Sequence, residues 1–358
     1  MHDSHKICQN HTLTYDKGEN CMKKFTTIIL ALILTFFSFG IVGCKKDDNV
    51  IRLNETTHSI FYAPLYVAIN LGYFEQEGLK IELTNGGGSN NSMTALLSGE
   101  ADVALLGPET AVYVANGETL NQPKIFGQLT KRDGSFLVCK TDTNNFQWTD
   151  LIGKTVIGGR RGGVPAMTLQ YVIEQIAGLQ IGTGADQVNL RTDVEFNLTA
   201  SVYDSTEAQY CTLFEPTASD LVAQGKGHIV ASVGQESGEI PYTCFMANQK
   251  YLQKNPAKIK SFLKAVIRGY RFLTTATVDQ IADALEPSFT ASSRSSIVTS
   301  IKSYIAVDAW NTTPVMKESA LDYLQTVMMN AGELKNRVKF EDIVDNSFAE
   351  EVIAELNA

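Results

Sequence analysis

The sequence predicts an α/β fold made of two lobes joined by two strands, with a helical C-terminal tail. Three observations lead there. Between Phe61 and Thr110 two strand-to-helix turns follow one another. From Thr155 the same punctuation restarts, and DVALLGPETAVYVANG is answered by YCTLFEPTASDLVAQG as a weak internal repeat. From Asn255 and Pro256 onward the pattern is helical. In an open α/β sheet such turns lie at the carboxyl ends of the strands, where ligands bind. The length of 358 residues suits two lobes.

In chain order, Leu53 to Ile60 reads as a strand with His58 and Ser59 late in it, broken at Phe61-Tyr62-Ala63-Pro64. Pro64 suits the first turn of a helix over Leu65 to Ile69, and Gly72 ends it. Strand Leu79 to Leu83 runs into Gly86-Gly87-Gly88-Ser89, and Ser92 to Ser98 has helical spacing. Strand Asp102 to Leu106 ends at Gly107-Pro108-Glu109-Thr110, and Ala111 to Ala115 continues as a helix. Strands Lys124 to Leu129 and Ser135 to Cys139 follow. Thr155 to Gly158 ends in Gly159-Arg160-Arg161-Gly162-Gly163-Val164-Pro165, and Ala166 to Ile176 has apolar residues at helical spacing. Then come strand Gln187 to Leu190, helix Asn197 to Val202, strand Tyr210 to Phe214, helix Ala218 to Ala223 and strand His228 to Val233. Gln235 to Glu239 reads as a loop and Ile240 to Met246 as a strand. The chain is expected to cross between lobes near Ser135 to Lys140 and again near Gly234 to Tyr242. The helices of the tail are expected over Ala257 to Phe272, Val278 to Leu285, Ser292 to Ala306 and Pro314 to Ala331, with Asn255 and Thr277 as start signals.

The 39 acidic and 30 basic residues leave a net charge of −9, which argues against the basic stripe that a nucleic-acid partner needs. An anionic small ligand is still compatible, because a local site can oppose the global sign. No GxSxG, HExxH, Walker loop or GxGxxG after a strand occurs, so no catalytic residue is assigned and binding is favoured over turnover. The six cysteines show no metal spacing, and no metal or cofactor is expected. Cys139, Cys211 and Cys244 read as small buried residues, although an exported protein could join two of them.

Met22-Lys23-Lys24, an apolar run and the exit Ile41-Val42-Gly43-Cys44 make a secretory signal. The exit resembles a bacterial lipobox, in which the cysteine becomes the lipidated first residue; an uncleaved transmembrane anchor is the alternative. Residues 1–21 then precede the true start, 22–43 are the signal, and 44–51 link lipidated Cys44 to the fold. Residues 52–138 with 241–358 form lobe 1 and the tail, and 139–240 form lobe 2.

At the corners, Phe61 and Tyr62 either stack on a flat ligand or cap the core. Glu109 and Glu215 occupy matching corners, where they either cap helix starts or accept hydrogen bonds from a ligand amine. Arg160 and Arg161 either clamp an anion or are a solvated pair. His58 is more simply a satisfied or exposed imidazole than a functional one.

The stretches YAPLYVAINLGYFEQEGLKIEL, GGGSNNSMTALLSGEADVALLGPE and DLIGKTVIGG, with the strand–EP–helix repeat, resemble the SsuA/THI5 substrate-binding proteins, and within them the NMT1/THI5-like group. The resemblance spans about Arg52 to Arg271. It implies a type II periplasmic-binding-protein fold, a ligand trapped between lobes, and the permease and ATPase of an ABC importer as partners. With the lipobox it implies an exported monomer tethered by lipid to the outer face of the membrane. Family ligands include thiamin pyrimidine precursors, aliphatic sulfonates and nitrate. Two departures stand out: pyrimidine binders tend to carry a histidine before APLYVA, where this chain has Tyr62, and the cysteine-rich stretch of the fungal pyrimidine synthases is absent. A sulfonate would lean on hydroxyls, helix starts and Arg160 or Arg161. A nitrogen heterocycle, the favoured ligand, would lean on Phe61, Tyr62, Tyr242 and a glutamate. The expected ligand-binding set is Phe61, Tyr62, Gly88, Ser89, Glu109, Arg160, Gly162, Glu215 and Tyr242. A pyrimidine-synthesis enzyme on the same scaffold is the alternative activity.

Overall fold

A computed structural model describes residues 49–117, 122–142 and 145–357. The expected signal segment and the lipidation position Cys44 lie outside the described residues. The chain begins with β1 (Val50–Glu55), α1 (Ala63–Asn70), α2 (Tyr73–Gln76), β2 (Lys80–Asn85), α3 (Ser89–Ser98), β3 (Val103–Leu106), α4 (Glu109–Ala115) and β4 (Pro123–Thr130). A second set follows: β5 (Ser135–Cys139), β6 (Thr155–Ile157), α5 (Val164–Tyr171), β7 (Asn189–Arg191), α6 (Thr199–Ser205), β8 (Tyr210–Phe214), α7 (Thr217–Ala223), β9 (His228–Ser232) and α8 (Val233–Ser237). The chain then returns through β10 (Thr243–Asn248) to α9 (Gln249–Lys254), α10 (Pro256–Thr275), α11 (Val278–Leu285), α12 (Arg294–Ala306), α13 (Glu318–Asn330), α14 (Phe340–Ile343) and α15 (Ser347–Asn357).

Two five-stranded mixed sheets result, ordered β2-β1-β3-β10-β4 and β7-β6-β8-β5-β9. In each, four strands run in one direction and a single strand that enters from the other lobe, β10 between β3 and β4 and β5 between β8 and β9, runs antiparallel to its neighbours. β3 reads as an unbroken apolar run because the sheet is covered on both faces, and all four of its residues are buried. The helical tail is a distinct region. α10 packs along α1, α12 touches α7, and α13 touches both α4 and α5, so the tail rests on both lobes. Thr277 caps α11 in a reciprocal box with Gln280.

Three expectations about elements are corrected. β1 ends at Glu55, so His58 and Ser59 lie in a loop: the Ser59 hydroxyl accepts from the Phe61 N–H and starts a short 3₁₀ turn over Ile60–Tyr62, taking the chain out of the sheet. Val233–Ser237 is a helix, capped by the Ser232 hydroxyl accepting from the Gln235 N–H. The first crossing falls between Thr130 and Ser135, because Ser135–Cys139 is already paired with β8 and β9 in the second sheet. The second crossing lies between Ser237 and Thr243. The two passages run side by side, with the Ile240 N–H donating to Lys131 O at 2.9 Å and the Tyr242 N–H to Thr130 O at 3.2 Å.

Candidate functional site

The parallel strands of both sheets send their carboxyl-end corners into one cleft. It holds a cavity of about 270 Å³, lined from the first sheet by Tyr62, Gly88, Ser89 and Glu109 and from the second by Arg160 and Gly162, with Tyr242 entering from the second crossing. Seven of the nine expected residues are thus brought together. Ser89 opens α3, and its hydroxyl accepts from the Gly107 N–H at 3.3 Å and lies 3.4 Å from that of Thr56, which ties two corners to each other. Gly162 adopts φ +77° in a turn whose carbonyl accepts from the Tyr113 hydroxyl at 2.9 Å across the cleft.

Glu109 is the first residue of α4 and only 2% exposed. Its side chain folds back over Gly107, where a Cβ would stand 2.0 Å from Oε2. That oxygen is buried and has no hydrogen-bond partner. Burial pushes the carboxyl up to about 7, against the backbone N–H groups of Glu109, Val164 and Thr110 and the Arg160 charge. Arg160 in turn sits 3.9 Å from Glu195. Burial raises the Tyr62 and Tyr242 hydroxyls, so both stay protonated at the rim of the cavity.

Two expected residues are placed elsewhere. Phe61 is fully buried behind the cavity, its ring 5.4 Å from Phe214, 5.6 Å from Tyr242 and 5.2 Å from Tyr304. It caps the core against the first crossing. Glu215 also lies outside this cavity, lining a second one of about 200 Å³. Its carboxylate accepts from the Ser219 N–H at 2.8 Å and the Ser219 hydroxyl at 2.9 Å, which closes the start of α7. The reason is residue order: Glu109 follows its proline and turns into the cleft, whereas Glu215 precedes Pro216 and reaches along the helix behind it. Arg161 points away too, bonded at 2.7 Å to Glu333 of the tail. His58 is satisfied by Glu55, Tyr66 and the Ser288 carbonyl. Cys139, Cys211 and Cys244 are free and buried.

Sequence reasoning missed Thr56, Met93, Tyr113, Glu195, Phe196 and Phe214, all of which line the cavity. Tyr113 was within reach, standing four residues after Glu109 on the same helix. Phe214 is the last residue of β8, beside a corner already singled out.

Comparison with known proteins agrees with this architecture. The NMT1/THI5-like family profile matches residues 60–276. A Bacillus subtilis (strain 168) protein named "Putative binding protein YtlA" is 38% identical over 323 residues, covering 89% of this chain and 95% of its own. The formylaminopyrimidine-binding protein of Halalkalibacterium halodurans is 22% identical, covering 70% of this chain and 76% of its own. Among solved structures, the periplasmic nitrate-binding protein NrtA of Synechocystis PCC 6803 superposes with a TM-score of 0.69 at 15% identity, covering 86% and 89% of the two chains.

Proposed function

This chain belongs to the NMT1/THI5-like family, and from that premise and its cleft we propose that it is an extracytoplasmic solute receptor that delivers a small molecule to an ABC importer. The observation that carries the reading is the cavity of about 270 Å³ to which both sheets contribute their carboxyl-end corners. Two lobes joined by paired strands close on a solute by changing a few backbone torsions. The relative named for binding and the structural neighbour named for nitrate support a receptor. The solute we infer is a nitrogen heterocycle, of which a thiamin pyrimidine precursor is one member. Tyr62, Tyr242, Phe196 and Phe214 supply aromatic and apolar walls, and a formylaminopyrimidine-binding relative points the same way. Export and lipidation at Cys44, proposed from Gly43-Cys44, would hold the receptor as a monomer beside its permease.

A thermal-shift panel of heterocycles, sulfonates and nitrate tests the reading, combined with mass spectrometry of the solute recovered afterwards. A ligand that binds only the folded state raises the midpoint. We expect a rise with one class and recovery of the compound unchanged. Recovery of a chemically altered compound would overturn the receptor in favour of an enzyme.

A further inference from the structure

The cavity contains three charged residues among the described ones that line it: Glu109, Glu195 and Arg160. Two carboxyls face one guanidinium, so the lining does not offer the surplus positive charge that would hold an anion. Arg160 lies 3.9 Å from Glu195 and also interacts with Glu109. Two helix starts also reach the cavity, that of α3 at Gly88 to Asn90 and that of α5, at which the second sheet presents free N–H groups to the cleft. There the Val164 N–H interacts with the Glu109 carboxyl, which arrives from the opposite lobe. A protein carboxylate therefore stands where a ligand anion would.

Glu109 lines the cavity, and its Oε2, folded against Gly107, is buried and unpartnered. A dry carboxylate oxygen without a donor is costly, and the missing donor is most simply the ligand's. Position is fixed by Gly107, over which the side chain folds.

We propose that Glu109 is an internal counter-anion: it occupies the α5 start so that the cleft rejects anionic solutes, and it turns Oε2 to a ligand that presents N–H donors, either a neutral amino-substituted ring or a cationic amidine or amine. This rests on the receptor reading above and narrows its ligand to one polarity. It sets the chain apart in charge preference from the nitrate-binding neighbour whose fold it shares.

The test uses calorimetry and thermal shift on the purified protein at pH 8, above the value of about 7 to which burial pushes Glu109, so that the carboxylate is ionised, with four probes: 4-aminopyrimidine, benzamidine, ethanesulfonate and nitrate. At least one donor probe is expected to bind, and neither anion at the same concentration. Glu109→Gln should weaken the donor probe tenfold or more and admit ethanesulfonate. Glu109→Asp keeps the charge but shortens the reach, so it should lose donor affinity while still excluding anions. Circular dichroism verifies that each variant is folded. Tight binding of ethanesulfonate or nitrate to the parent overturns the assignment and leaves the receptor reading standing. Unchanged donor affinity in Glu109→Gln, or no response to either donor probe, also overturns it; the receptor reading is then judged by the solute recovered from the protein.

Discussion

At Gly134, in the first crossing between sheets, a Cβ would lie 2.5 Å from the Phe61 ring. That ring is itself hemmed in by Tyr62, Phe214, Tyr242 and Tyr304 and has nowhere to retreat. Gly134→Ala is therefore expected to cost about 1–3 kcal/mol through overpacking, read as a lowered thermal midpoint; a midpoint equal to the parent's would show that the aromatic cluster yields. Phe61→Ala should be worse, on the order of 3–5 kcal/mol, because it empties a fully buried site. The two glutamates divide along the same line between core and cleft. Glu215→Ala removes a helix cap, expected to cost about 1–2 kcal/mol in melting experiments, while solute affinity stays at the parental value. A large loss of affinity with normal melting would return Glu215 to the binding site.

The helix α4 and the loop before α5 meet through the Tyr113 hydroxyl and the Gly162 carbonyl, while Arg161 in that loop bonds to Glu333 behind α13. The corners of the two sheets are thus joined by Tyr113, which itself lines the cavity, and by Arg161, which also ties that loop to the tail. Tyr113→Phe deletes one neutral hydrogen bond, about 1 kcal/mol, and should weaken solute binding by about fivefold while small-angle scattering reports a more open form. Unchanged affinity would mark the contact as incidental. The elements themselves were largely legible. Glycine, proline and β-branched runs mark each strand-to-helix corner, and seven of nine expected residues line one cavity because corners at the carboxyl ends of parallel strands converge by topology. What was not legible depended on side-chain direction. Nothing in the pattern separates Phe61, which turns inward, from Tyr62, which lines the cleft, and although the opposite order of proline and glutamate at Glu109 and Glu215 is plain in the sequence, the direction each carboxyl then takes is not. The helix at Val233–Ser237 was hidden because its sequence, VGQES, has too few apolar residues to show a period.

Across the whole molecule the carboxyls that burial perturbs share one sign, and the exposed His58 shares it too. Burial raises Glu109 to about 7 and Asp133 to about 7, and the Glu55 hydrogen bond raises His58. Each holds its proton more firmly when folded, so stability is greatest below the unfolded values and is lost as pH rises through the folded ones. For each carboxyl the loss is on the order of 3 kcal/mol once pH is well above 7. Arg160, Tyr62, Tyr113, Tyr242 and Cys244 all interact with Glu109, and Tyr242 also adjoins Asp133. The groups shifted the other way, Asp193 and Glu355, act only near pH 4 and below. The melting midpoint should therefore fall steadily from pH 5 to pH 8, and less steeply in Glu109→Gln; a flat or rising midpoint would show that these carboxyls are hydrated. The strand order also carries a schedule. Because β10 lies between β3 and β4, the first sheet stays open until residue 248 has been synthesised, whereas the second is drawn from one continuous stretch, Ser135 to Ser232. Non-local pairing waits on the slow closure of long loops, so pulse-labelled amide exchange during refolding should find the second sheet, Ser135 to Ser232, protected before the first, whose centre must await β10.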